Sequence, residues 1–245
     1  MKIILASLIP LLVQQSQAAL PPKAQVSSSM QALEILSLPE QNRNQLASQK
    51  GQELFPQLVQ ISKAKEQSMA TRWKALTLAA LVGKEKALPE LDAALKSPEW
   101  FMRNAALISL RSYHPQKAKL AAQEALKDKA LVVRSAAVEV LGEGLDRKTR
   151  DLFWEEYNAG YNFRKKQGLW IRSQILGHLA EKPESNERLL FFKALQDGDH
   201  RLHASAIGAL EKLTQQSFGQ PQIKLAEKRD LWLKWAKAHP QVITD

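Results

Sequence analysis

Val133-Arg134-Ser135-Ala136-Ala137-Val138-Glu139-Val140-Leu141-Gly142, laid over Met102-Arg103-Asn104-Ala105-Ala106-Leu107-Ile108-Ser109-Leu110 with Arg134 on Arg103, keeps register along its length. The same interval taken once more towards the N-terminus falls on Arg72, followed by Ala75 and Leu76. Downstream, Arg172 heads Ile175, Leu176 and Leu179, and one further such interval reaches His203, which heads Ala206, Ile207 and Leu210. In all five segments the residues three, four and seven places after the anchor are apolar, with Ala79 the small member of the last column. That spacing is one stripe of an α-helix; a strand, with period two, cannot put those positions on one face.

Eight places before the anchor, Leu95, Leu126 and Leu195 close an earlier apolar helical stretch. Two places later come Ser97, Asp128 and Asp197, whose side-chain oxygens can accept from free amides near the start of the next helix. The unit is therefore helix, tight turn with a capping oxygen, helix. The step from Arg134 to Arg172 is longer than the regular one, so one unit carries a seven-residue excess, expected as an irregular loop in the Asn158-Ala159-Gly160-Tyr161-Asn162-Phe163 stretch.

The columns Leu126-Lys127-Asp128, Val133-Arg134, Ala137 and Leu141-Gly142 resemble the HEAT repeat, in the bacterial variety also found in phycobilin lyases. The resemblance spans residues 50–215 and rests on several columns recurring together at one period. It departs from the family pattern at His203, where arginine is usual, and in a weak N-terminal unit. What it implies is an all-α fold, a right-handed α-solenoid of five helical hairpins. In such a fold no hairpin buries its apolar stripe alone, and stacked neighbours form one continuous core. In this family the recurrent arginine reaches a capping acid near the turn, which makes Arg72, Arg103, Arg134, Arg172 and His203 structural anchors rather than catalytic groups. Leu213-Thr214-Gln215-Gln216-Ser217-Phe218-Gly219 with Trp232-Leu233-Lys234-Trp235 resembles the closing segment of many bacterial HEAT proteins.

The expected organisation is a signal peptide at 1–18, a flexible lead-in at 19–29, N-terminal capping helices at 30–49, repeats at 50–215 and a C-terminal capping helix at 216–245. The signal is read from Met1-Lys2, an uncharged stretch from Ile3 to Val13, and small residues Ser16 and Ala18 before the expected cut. An apolar run of this length is too short to span a bilayer. The protein is thus expected to be exported, periplasmic or secreted. Cysteine is absent, which excludes disulfides, thiolate metal sites and thiol nucleophiles.

No phosphate loop, dinucleotide fingerprint, nucleophile elbow or metalloprotease motif is present. Glu155 and Glu156 point to different sides of a helix, and neither has an identifiable partner carboxylate. Asp197-Gly198-Asp199-His200-Arg201-Leu202-His203 is the one stretch with metal-binding composition, but its acids and histidines already have places in the repeat. The reading is of a protein with no catalytic residue, no metal and no cofactor.

In HEAT-like stacks the second helix of each hairpin lines the concave face. The columns two and five places after the anchor are Lys74, Ala105, Ala136, Gln174, Ser205 and Thr77, Ile108, Glu139, Gly177, Gly208; one turn on are Leu81, Ser112, Glu143, Glu181, Lys212. Lys74, Thr77, Ile108, Glu139, Glu143, Gln174, Glu181, Ser205 and Lys212 are the candidate contacts for a protein partner. The surplus behind the net charge of +10 falls instead on Lys117, Lys119, Lys127, Lys129, Arg147, Lys148, Arg150, Arg164, Lys165 and Lys166, expected as a solvated convex face or rim. A groove without a basic track argues against nucleic acid; the rim leaves open a weak contact with an anionic polymer or membrane surface. The six tryptophans are expected as core or stacking residues, with Trp73 partly exposed.

Overall fold

The computed structural model describes residues 22–220 and 222–244. The expected signal peptide lies outside them. Helix α1 (Pro22–Ser37) and α2 (Glu40–Lys50) come first, and residues 22–29, expected as a flexible lead-in, belong to α1. Five hairpins follow: α3 (Phe55–Lys63) with α4 (Met69–Gly83), α5 (Leu88–Leu95) with α6 (Trp100–Tyr113), α7 (Pro115–Ala125) with α8 (Leu131–Gly142), α9 (Arg147–Asn158) with α10 (Ile171–Glu181), and α11 (Arg188–Gln196) with α12 (His203–Thr214). Helices α13 (Leu225–Ala238) and α14 (Pro240–Thr244) end the described chain.

Local chemistry sets the starts of the first helices. Proline sits in the opening turn of α3, α5 and α7, where its fixed φ suits the helix and its missing amide costs no bond. The second helices then stack in chain order, α4 on α6, α6 on α8, α8 on α10 and α10 on α12. The fold is an all-α solenoid, and all five anchors are buried on successive second helices.

The stripe read from the sequence is the core. Ala106, Leu107 and Leu110, Ala137, Val138 and Leu141, Ile175, Leu176 and Leu179, and Ala206, Ile207 and Leu210 are all buried. Each of the large members contributes about 1.5–3 kcal/mol by leaving water. Helix α4 is apolar on two sides: Leu76 and Ala80 join the core shared with α6, while Ala75, Leu78 and Ala79 are clustered with Ala32, Ile35 and Ala47 of α1 and α2 and with Leu58 of α3. At the other end Trp232 is fully buried, with the Phe218 ring edge-on at 4.9 Å and Trp235 at 5.4 Å.

The excess residues begin in the expected stretch, after Asn158, but run beyond Phe163 to Gly168 and are not irregular. A single 3-10 turn at Gly160–Asn162 leads into a two-stranded hairpin, β1 (Phe163–Arg164) and β2 (Gln167–Gly168), with Phe163 opposite Gly168 and Arg164 opposite Gln167. The two loop residues, Lys165 and Lys166, both have positive φ, +48° and +66°. That is the mirror-image turn whose twist matches paired strands, normally built from Asn-Gly. Two lysines give no composition signal for it, which is why the sequence reads as a loop.

Candidate functional site

The anchors form a ladder that runs from hairpin to hairpin. Arg72 donates from both terminal nitrogens to Glu99 at 2.7 and 2.6 Å, and from Nε to the Ser62 carbonyl at 3.0 Å. Arg103 forks onto Asp128 at 2.6 and 2.7 Å and donates from Nη1 to the Ser97 carbonyl at 2.8 Å. Arg172 reaches Asp197 at 2.9 Å and the Tyr157 carbonyl at 3.0 Å, with its guanidinium 4.3 and 4.4 Å from the Tyr157 and Phe163 ring centres. In each case the acid belongs to the turn of the following hairpin. The acids also act locally: Asp128 accepts from the Ala130 amide at 2.7 Å and Asp197 from the Asp199 amide at 2.9 Å. Hydrogen bonds from Arg72 hold the Glu99 carboxyl below its ordinary value; for Asp128 burial pushes upward, but Arg103 and the Ala130 amide outweigh it.

Two rungs differ. Arg134 meets the inserted segment where the other arginines meet an acid. It donates to Asn162 Oδ1 at 3.1 Å, and fully buried Asn162 passes the bond on to the Glu156 carbonyl at 2.8 Å. His203, the departure from arginine, donates from Nε2 to the Asp197 carbonyl at 2.8 Å, a shorter reach that needs no following hairpin.

The second-helix face is largely cross-bonded. Ser135 donates to Gln174 at 3.0 Å; Gln174 returns a bond to the Ser135 carbonyl at 3.2 Å and another to the Glu139 carboxylate. Glu143 is held by Arg111 at 2.6 Å, Lys212 by the Ala180 and Glu181 carbonyls at 2.9 Å, and Lys74 by the Leu36 carbonyl at 3.5 Å. Thr77 bonds within its own helix, to the Lys74 carbonyl at 3.0 Å. Glu181 lies 3.7 Å from His178. Ile108, 37% exposed, and half-buried Ser205 remain open. Four of the eight polar candidates, Glu139, Glu143, Gln174 and Lys212, thus fasten neighbouring second helices, a pairing that spacing alone does not reveal. Between them lies an open floor: Gly177 and Gly208, in the interiors of α10 and α12, would each accept a Cβ with nothing within 4 Å.

Residues 46–143 match a family described as HEAT repeats. That stretch is similar to HEAT repeats. No curated protein matches it. The matched residues cover the first three hairpins, and the last two hairpins continue the same stack through α12. HEAT repeats generally mediate protein–protein interaction.

Because each arginine anchor bonds across to the next hairpin, the turns between first and second helices lie side by side along one edge of the stack. The basic rim expected from the sequence divides there. Lys117 and Lys119 pair with Asp92 and Asp146, both at 2.7 Å, and Arg147 with Glu184 at 3.2 Å. Arg150 is not on a rim: it is 3% exposed, locked onto buried Glu187 and the Leu179 carbonyl. Lys127, Lys129, Arg164, Lys165 and Lys166 are all exposed on the turn edge.

Two tryptophans expected as core or stacking residues are also at this edge. Trp100 is 40% and Trp170 43% exposed, each at the start of a second helix. Trp73 is half-buried and donates to Asn104 at 3.1 Å, while Trp154 packs on Phe191 at 5.2 Å. In the histidine-containing stretch, the Asp197 carboxylate is taken by Arg172, Asp199 by Arg201 at 2.7 Å, and His203 by backbone, while His200 is exposed at the surface.

Proposed function

We propose that this protein is an exported, non-catalytic scaffold that holds a protein partner against the face formed by its second helices. The observation that carries this reading is the pair Gly177 and Gly208. Each lies in a helix interior, where glycine costs about 1 kcal/mol relative to alanine, and neither has a neighbour that alanine would strike. Among the described residues no contact at either glycine offsets that cost. A partner seated on the floor between the cross-bonded walls does, because it needs the two helix backbones bare. The family, whose repeats generally serve protein interaction, supports the same use.

The experiment places a photo-crosslinking residue at 177, at 208, or at the exposed position Leu120 on a first helix, in the exported protein in its native host. The expected result is one partner captured from 177 and 208 but not from 120, and lost when the other glycine is changed to glutamine. Capture from 120 alone, or capture indifferent to Gly177→Gln and Gly208→Gln, overturns the proposal. Both substitutions point into open space, so a failure of folding does not confound them.

A further inference from the structure

The turn edge of the stack carries features that the second-helix face does not use. At the start of successive second helices stand Met69, Trp100, Val132 and Trp170, between 40 and 50% exposed. They are set among Lys96, Lys127 and Lys129, exposed residues of the intervening turns. Beyond them the β1–β2 hairpin ends in Arg164, Lys165 and Lys166, all exposed.

Three observations make this more than scattered surface charge. Four acids of this edge, Glu99, Asp128, Asp197 and Asp199, are each bonded by an arginine of the ladder or its turn, so their charge is already matched there and not by the exposed lysines. The hairpin is fixed at its base. Arg201 donates to the Gly168 carbonyl at 2.6 Å and the Leu169 amide to the Asn162 carbonyl at 2.8 Å, and a Cβ at Gly168 would come within 2.6 Å of Arg172. Finally, both lysines at its tip occupy the left-handed region, an unfavourable place for a side chain with a Cβ. Asn-Gly would satisfy the turn without that cost, so the fold holds two cations where backbone conformation argues against them.

We propose that this edge is a docking surface for an anionic phospholipid bilayer, with the hairpin lysines in the headgroups and Trp100 and Trp170 at the headgroup boundary. Charge complementarity selects the partner's sign. The mixture of tryptophan with aliphatic Met69 and Val132 suits a layer that is charged outside and apolar beneath. A nucleic acid is disfavoured: the surface is a projecting edge rather than a groove, and its outward cations are mostly lysines, which lack the two-pronged phosphate contact of arginine. Among the described residues no helix is long and apolar enough to cross a membrane, so the contact made by this edge is peripheral.

The test is sedimentation of the full chain with vesicles of phosphatidylcholine alone or with about one-third phosphatidylserine, where each surface lysine contributes roughly fivefold in affinity. Binding is expected only to the anionic vesicles, and it should fall at least tenfold between about 50 and 300 mM salt. The triple variant Lys96→Glu, Lys165→Glu, Lys166→Glu should lose about a hundredfold. The charge-matched variant Lys193→Glu, Lys234→Glu, Lys237→Glu, altered on α11 and α13, should lose far less. Brominated lipid should quench the wild type but not a Trp100→Phe, Trp170→Phe variant that still sediments.

Equal losses in the two triple variants, binding to neutral vesicles, quenching that survives the tryptophan changes, or tighter capture of single-stranded RNA than of vesicles by the same lysines would each overturn the assignment. Gly177→Gln with Gly208→Gln should leave vesicle binding intact, so this surface and the proposed protein-binding face fail or stand separately.

Discussion

Arg103 shows what a single repeat column does. Its side chain is 10% exposed and that of Asp128 12%, and the fork between them spans two hairpins. Arg103→Ala leaves a carboxylate facing a void and unpairs the Ser97 carbonyl, which should cost about 3 kcal/mol in denaturant unfolding. Arg201→Ala, which takes an exposed guanidinium from Asp199 and from the Gly168 carbonyl, should cost less, about 1–2 kcal/mol. Glu156 behaves in the opposite sense. It is 2% exposed, accepts from the Tyr161 hydroxyl, and burial raises its carboxyl above the ordinary value. A raised acid loses stability as pH climbs from its unfolded value through its folded one, so at neutral pH the charged form is a burden. Glu156→Gln should therefore raise the melting temperature at pH 7 and leave it nearly unchanged at about pH 4.

At the scale of elements, the β1–β2 hairpin and the second helices each carry a local choice that the fold does not require. Lys165→Asn with Lys166→Gly matches the side chains to the turn and should stabilise the protein by about 1–2 kcal/mol in thermal melts, relieving the left-handed lysines. Gly177→Ala with Gly208→Ala should add about 1 kcal/mol per site in chemical denaturation, since each new methyl enters open space. Asn162 is the opposite case. It is the neutral rung that accepts from Arg134 and donates to the Glu156 carbonyl, both in the interior. Asn162→Ala should lower stability by about 2 kcal/mol and speed amide exchange first in α9 and α10, on either side of the insertion.

Across the whole molecule, stability is a chain of nearest-neighbour terms, because each hairpin bonds and packs chiefly on the next. Acid should loosen that chain. The Glu99, Asp128 and Asp199 carboxyls are held below their ordinary values in the fold, through arginine bonds that outweigh burial. Their contribution is complete above the unfolded carboxylate range and is lost as pH falls through the lower folded values. Circular dichroism should follow a steep loss of helix below about pH 4, and Arg103→Ala should flatten the Asp128 part of it.

The periodic columns determined most of this architecture without coordinates. A constant step from anchor to anchor, with apolar residues at fixed offsets, admits one stripe per helix, one helix pair per unit and stacking as the means of covering it. Hydrophobic burial depends on pattern, and pattern is written in sequence. Only the tertiary structure decided which polar groups were spent. Glu139, Gln174, Glu143 and Lys212 read as open groove residues yet bond between helices, Arg150 reads as surface charge yet lies inside, and Trp100 and Trp170 read as core or stacking residues yet reach solvent. Pairing and exposure depend on which hairpin lies next to which and at what offset, and the seven-residue insertion shifts that offset for every contact that crosses it.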